Sequence, residues 1–244
     1  RQLQMCIRDR FALDQTIVAT ILSTVGNKFD AFENVGWLSS GFLLTMAVFI
    51  QPYGKLSIIF GRKWSMVVAI VIFEAGSLMC ALASSMNVLI GGRVLAGVGG
   101  AGIQGLAFVI LSEVVPIDKR PLGMTILSVT FAVASVLGPL IGGAFTTHVT
   151  WRWSFYINLP VGGFALAVFL YSFRPPLPKV DIWEELKQFD YIGTFFFISG
   201  SVILLLAITF GSSDFPWNSG AVISCFVLGL SLIHISEPTR LALI

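Results

Sequence analysis

Three ionisable side chains stand inside long apolar runs: Asp14, Glu74 and Arg93. A charge in hydrocarbon is costly unless it is hydrated, paired or neutralised. Carboxylates so placed can bind and release protons, and a fixed cation nearby can control that exchange. Asp14 lies in Leu13-Asp14-Gln15-Thr16-Ile17-Val18-Ala19-Thr20. It reads either as a polar, proton-coupling contact or as a carboxylate snorkelling from the start of its span. Glu74, near the middle of its span, reads as a protonatable group or as a neutral carboxyl hydrogen-bonded between helices. Arg93, five residues into its span, is expected in the outer half of the membrane. It acts on a carboxylate there or snorkels to the external interface.

Two further strings shape the backbone. Gly54-Lys55-Leu56-Ser57-Ile58-Ile59-Phe60-Gly61-Arg62-Lys63 joins two apolar runs. Gly54 and Gly61 permit a tight turn, and Arg62 and Lys63 hold it on one side of the membrane. Gly138-Pro139-Leu140-Ile141-Gly142-Gly143 sits inside another run. Proline bends a helix. The spacing of Gly138 and Gly142, and of Pro139 and Gly143, predicts a smooth, kinked face for a pivoting neighbour; an ordinary packing kink is the plainer alternative. Gly97, Ala101 and Gly105 recur every four residues and predict a small-residue face for close helix contact.

The elements that must position these residues follow from composition. Hydrophobic residues make up 56% of the 244 and charged residues 11%, whereas a soluble domain carries about 25% charged residues. The natural solvent of this chain is a bilayer. Charge-poor runs predict eight helical spans, at about 11–27, 35–53, 64–83, 88–111, 122–145, 155–173, 191–211 and 215–232. Lys55, Arg62, Lys63, Lys119, Arg120, Arg174, Lys179 and Lys187 fall in loops on one side, against Lys28 and Arg152 on the other. The former side is therefore expected to be cytoplasmic.

Other classes are excluded or unsupported. A net charge of +2 does not imply a polyanionic partner, so no nucleic acid is expected. Three cysteines do not make a disulfide framework. With no Walker-type loop, metal-ligand spacing or nucleophile triad, neither an enzyme, a metal nor a cofactor is expected.

Met5-Cys6-Ile7-Arg8-Asp9 and Leu230-Ser231-Leu232-Ile233-His234-Ile235-Ser236 resemble translations of the two strands of one transposase adapter. Residues 1–10 and 230–244 are accordingly expected to be artefacts of sequencing.

Together the motifs resemble the major facilitator superfamily, in its fourteen-span drug:proton antiporter branch of fungal type. Gly54 to Lys63 resembles the family's cytoplasmic loop signature, with Ile58 where the pattern has an Asp that latches the cytoplasmic gate. The Asp14 segment resembles the first-helix signature, and Arg93 the fourth-helix arginine linked to proton transfer. Gly138 to Gly143 resembles the fifth-helix signature of exporters. Trp151-Arg152-Trp153-Ser154-Phe155-Tyr156-Ile157-Asn158-Leu159-Pro160 resembles a further branch signature; its aromatics also suit an interfacial belt.

The resemblance implies an all-α membrane protein: the N-terminal six-helix half of a major-facilitator fold, plus one to two extra central helices, truncated. Residues 11–173 would be the bundle, 174–190 a cytoplasmic linker and 191–229 the first extra helix with part of the next. The implied function is proton-coupled export of small apolar or amphipathic compounds by alternating access, with the fragment itself inactive. Asp14, Arg93 and Glu74 would couple protons, Gly54, Gly61, Arg62 and Lys63 would form the gating loop, and Gly138, Pro139, Gly142 and Gly143 the pivot. Partners would be the lipid bilayer, substrate and protons, with a monomer at full length in the plasma membrane or the vacuolar membrane. Proton-driven siderophore uptake and vacuolar amino-acid transport are alternatives, as is a receptor or scaffold, which would not need Arg93.

Overall fold

The computed structural model describes residues 2–173, 187, 190–213 and 215–241, and all their regular elements are helical. Helix α1 (Gln2–Phe29) is followed by a 3-10 turn (Phe32–Asn34) and α2 (Gly36–Ile59). Helices α3 (Arg62–Ala81), α4 (Met86–Val114) and α5 (Arg120–His148) follow, then a short α6 (Trp153–Tyr156) and α7 (Asn158–Ser172). These belong to one compact unit; α8 (Tyr191–Ser213) and α9 (Gly220–Leu241) belong to a second. The expected linker 174–190 lies outside the described residues, except for Lys187 and Asp190.

Local chemistry sets the boundaries. Ser85 Oγ accepts from Val88 N–H at 3.4 Å and caps α4. Pro121 opens α5, where a missing N–H costs nothing. The sixth span is interrupted at Ile157. Pro160 has no N–H to offer the Tyr156 carbonyl four residues earlier, so the ladder fails there. Asp190 Oδ1 accepts from Gly193 N–H at 2.7 Å at the start of α8.

Three expected boundaries need correction. Helix α1 runs unbroken from Gln2 through Asp14, so Asp14 lies within a helix and not in its first turn. Gly54 is inside α2, and the turn between α2 and α3 contains only Phe60 and Gly61. Gly61 has φ 82°, the left-handed region that glycine adopts without strain. Span eight starts at Gly220, because Phe215–Ser219 is irregular.

Among the described residues, six segments are long and apolar enough to cross a membrane: Phe32–Ile59, Arg62–Ala81, Met86–Val114, Ile117–His148, Trp153–Ser172 and Tyr191–Gly211. Helix α4 sits between α2 and α3 in the first unit. Gly97 and Gly105 of the expected small-residue face lie against α2, and other glycines of the same helix lie against α3. A Cβ on Gly97 would lie 2.6 Å from the Phe42 carbonyl of α2, and one on Gly105 3.1 Å from Ile50. A Cβ on Gly92 would meet Cys80 of α3 at 2.6 Å, and one on Gly99 would collide with the backbone of Phe73. Such contacts let three backbones approach closely.

Two apolar clusters fill the unit. One gathers Phe42, Met66, Phe73, Leu106 and Phe169. The other gathers Ile21, Leu38, Cys80, Leu89, Trp151 and Phe155. In the second unit, α8 and α9 pack through Gly200 and Gly229; a Cβ on Gly200 would lie 2.8 Å from the Gly229 carbonyl.

Candidate functional site: a buried ion pair

Along α3 and α4, the stretch between the two apolar clusters carries Glu74, Ser77 and Arg93. Asp14 and Arg93 meet there, with Arg93 Nη1 2.6 Å from Asp14 Oδ2. Each residue is 1% exposed. Arg93 Nε donates to the Leu38 carbonyl of α2 at 3.2 Å, and its guanidinium lies 4.1 Å from the centroid of the Phe42 ring. The second carboxylate oxygen is also occupied: Asn158 Nδ2 donates to Asp14 Oδ1 at 2.7 Å and to Ser77 Oγ at 3.3 Å. Five helices, α1, α2, α3, α4 and α7, therefore meet through polar contacts at one buried point.

This geometry excludes the two surface readings, since neither Asp14 nor Arg93 snorkels. It joins residues 79 positions apart that the sequence placed at different depths. Desolvating two ions costs several kcal/mol each, and only close geometry with satisfied remaining hydrogen bonds offsets that. Glu74 is half-buried on α3, one turn before Ser77.

The loop residues form a second ionic site, at the end of α3 where Arg62 opens the helix. Arg62 Nη2 and Nε bond Glu113 Oε1 of α4 at 2.7 and 3.0 Å, and its Nη1 bonds Ser57 Oγ. Lys63 Nζ donates to the Leu170 carbonyl at 3.0 Å. Ile58, half exposed at the end of α2, contributes no carboxylate; Glu113 supplies the negative partner at this corner. Gly54 takes no part in the turn, and a Cβ there would meet nothing.

The pivot string divides between two directions. Gly138 and Gly142 are buried against α1, where a Cβ on either would collide with Thr16 or Thr20. Thr16 Oγ1 donates to the Ala134 carbonyl of α5 at 3.2 Å. Pro139 is exposed, and a Cβ on Gly143 would meet nothing within 4 Å. The four residues thus do not share one face.

At the opposite end of α3, Arg152 donates to the carbonyls of Ala81 and Ala83 at 3.0 and 2.6 Å. Trp151 is buried, with Arg152 and Lys28 5.1 and 5.8 Å from its ring centroid. Trp153 is 50% exposed and fits an interfacial anchor, whereas Trp151 belongs to the core.

Residues 11–235 match the sequence profile of the Major Facilitator Superfamily. The chain belongs to the Major Facilitator Superfamily. It is an integral, multi-pass membrane protein, and its family carries small molecules. It is 44% identical over 254 residues to vacuolar basic amino acid transporter 5 of Saccharomyces cerevisiae, covering 92% of this chain and 43% of that protein. It is 45% identical over 227 residues to efflux pump aflT of Aspergillus parasiticus, covering 91% of this chain and 44% of that protein. The chain therefore spans less than half the length of these relatives. A solved bacterial homolog of the human lysosomal transporter Spinster, inward-facing and occupied, superposes with TM-score 0.62 at 17% identity, over 88% of this chain and 61% of that one. That likeness establishes the shared major-facilitator fold.

Sequence reasoning did not single out Asn158, Ser77 or the Leu38 carbonyl. Asn158 sits within a string of aromatics whose belt chemistry masks it, and a backbone carbonyl leaves no sequence signal. Glu113 is an ordinary carboxylate at a helix end until the fold brings Arg62 to it.

Proposed function

We propose that this Major Facilitator Superfamily chain forms part of a proton-coupled exporter of small apolar or amphipathic compounds working by alternating access. The observation that carries this reading is the buried Asp14–Arg93 pair at 2.6 Å. A carboxylate held by one guanidinium, with no water-exposed surface, changes its contacts when it takes a proton. The helices it joins then favour a different packing, and a two-state bundle can follow. Asp14 and Arg93 carry the coupling in this proposal, and Glu74 serves as an auxiliary carboxylate. Arg62 and Lys63 hold the cytoplasmic corner closed, with the Gly61 turn between them and α2. Gly138 and Gly142 provide the seam on which α5 moves against α1, with Pro139 and Gly143 on its open side. Residues 11–173 form the transporter bundle, 174–190 a linker, and 191–229 the additional central helices. The efflux-pump name of the Aspergillus relative supports export.

Transport of basic amino acids across a vacuolar membrane is a second reading, supported by the Saccharomyces relative. Both are tested in inside-out vesicles containing the complete polypeptide that bears these residues. Accumulation of a fluorescent lipophilic cation that stops when an ionophore collapses the proton gradient supports export of apolar compounds. Accumulation of labelled arginine or lysine alone would replace that substrate class with the second. Accumulation of any substrate that is indifferent to the gradient would refute proton coupling.

A further inference from the structure

We propose that Asn158 is a positioning residue that reports the protonation state of Asp14 to helices α3 and α7. The inference rests on reading Asp14 as the proton-binding group. An ionised carboxylate only accepts hydrogen bonds, whereas a primary amide carries two donors and one acceptor. The ionised form therefore requires the arrangement in the structure, with Asn158 Nδ2 directed at Asp14 Oδ1 at 2.7 Å. The same nitrogen reaches Ser77 Oγ at 3.3 Å.

Asp14 Oδ2 is engaged by the charged Arg93 donor at 2.6 Å, so an arriving proton binds Oδ1. The new O–H then faces the amide N–H, donor against donor, and the Nδ2–H···Oδ1 bond breaks. Rotating the amide half a turn about its terminal torsion presents the Asn158 carbonyl, and an O–H···O bond forms in its place. That rotation puts the Asn158 carbonyl where the amide nitrogen stood, and Ser77, whose hydroxyl both donates and accepts, turns its O–H towards it. The contacts of α7 with α1 and with α3 then both survive with reversed polarity. Asn158 is 2% exposed, so water does not take over either contact freely. It is also the first residue of α7, directly after the break at Ile157, where the helix ladder already lacks a donor from Pro160. Protonation is thus converted into a changed contact at a point that bends cheaply. The titratable or charged groups around this point, among the described residues, are Asp14, Arg93 of α4, and Cys80 and Glu74 of α3, which flank Ser77; α2 contributes the Leu38 carbonyl and the Phe42 ring, and α5 faces α1 through its glycines.

The test is infrared difference spectroscopy of the complete polypeptide across an acid titration, with the Asp14 carboxyl band assigned by its loss in Asp14→Asn. In protein labelled at the asparagine side-chain carbonyl, the amide band of Asn158, assigned by its loss in Asn158→Leu, is expected to shift together with the Asp14 band. An amide band that stays fixed while Asp14 protonates overturns the proposal. In vesicles, Asn158→Leu is expected to lower proton-driven transport roughly tenfold, the scale of one hydrogen bond to a charged group, while gradient-free substrate exchange persists. Asn158→Ser, whose hydroxyl both donates and accepts, restores part of the driven rate. Equal loss of driven transport and exchange in Asn158→Leu would mean a purely structural role. Gradient-indifferent transport by the unaltered protein would refute the proton-coupling reading, and the amide band would still decide whether Asn158 follows Asp14.

Discussion

At the scale of single residues, Asp14 and Arg93 define each other. Each was conspicuous in the sequence as a charge in an apolar run. Their pairing was not, because it depends on how α1 packs against α4, and packing leaves no local pattern. Starting that span at Phe11 put Asp14 at one surface and Arg93 towards the other; the packing of α1 against α4 brings them level. Removing one partner from a buried pair leaves an uncompensated charge and costs about 3–5 kcal/mol. Asp14→Ala should therefore lower the detergent-solubilised unfolding midpoint markedly, while Asp14→Leu combined with Arg93→Met should recover most of the loss. A double variant no more stable than Asp14→Ala would show that the node depends on more than charge balance. Arg62 behaves differently. Its partner Glu113 has a side chain 47% exposed, so Glu113→Gln should change stability by no more than about 1 kcal/mol. Under the proposed corner role, the same substitution should still raise protease access to the α2–α3 turn.

At the scale of helices, charge-poor apolar runs located the elements well but not their faces. The six segments able to cross a membrane were legible because hydrocarbon demands uninterrupted apolar helices. The division of glycines was not legible, since a four-residue spacing defines a stripe without saying what lies against it. Gly138 and Gly143 make the contrast measurable. Gly138→Val drives a side chain into Thr16 of α1 and should destabilise by about 1–3 kcal/mol, as overpacking does. Gly143→Val meets open space and should stay within about 0.5 kcal/mol, apart from valine's own helix propensity. Equal losses at both positions in thermal unfolding would contradict the observed seam. Gly61→Ala forces a Cβ into a left-handed conformation and should cost about 1 kcal/mol, whereas Gly54→Ala, inside a helix, should stabilise slightly.

At the scale of the whole molecule, composition alone excluded a soluble fold, and the motif strings pointed to the family that residues 11–235 match. What composition could not supply is the convergence of five helices on one buried polar node, because long-range contacts leave no local pattern. The coupling proposed for Asp14 and Arg93 depends on that convergence. Its most direct test measures proton and substrate movement together, with a pH dye trapped in vesicles that hold the complete polypeptide. Substrate addition should drive proton flux in the unaltered protein. Arg93→Ala should lose that linked proton flux roughly tenfold or more, about 1.4 kcal/mol or greater, while still exchanging substrate. Unchanged proton flux in Arg93→Ala would contradict the claim that the buried pair couples the two movements.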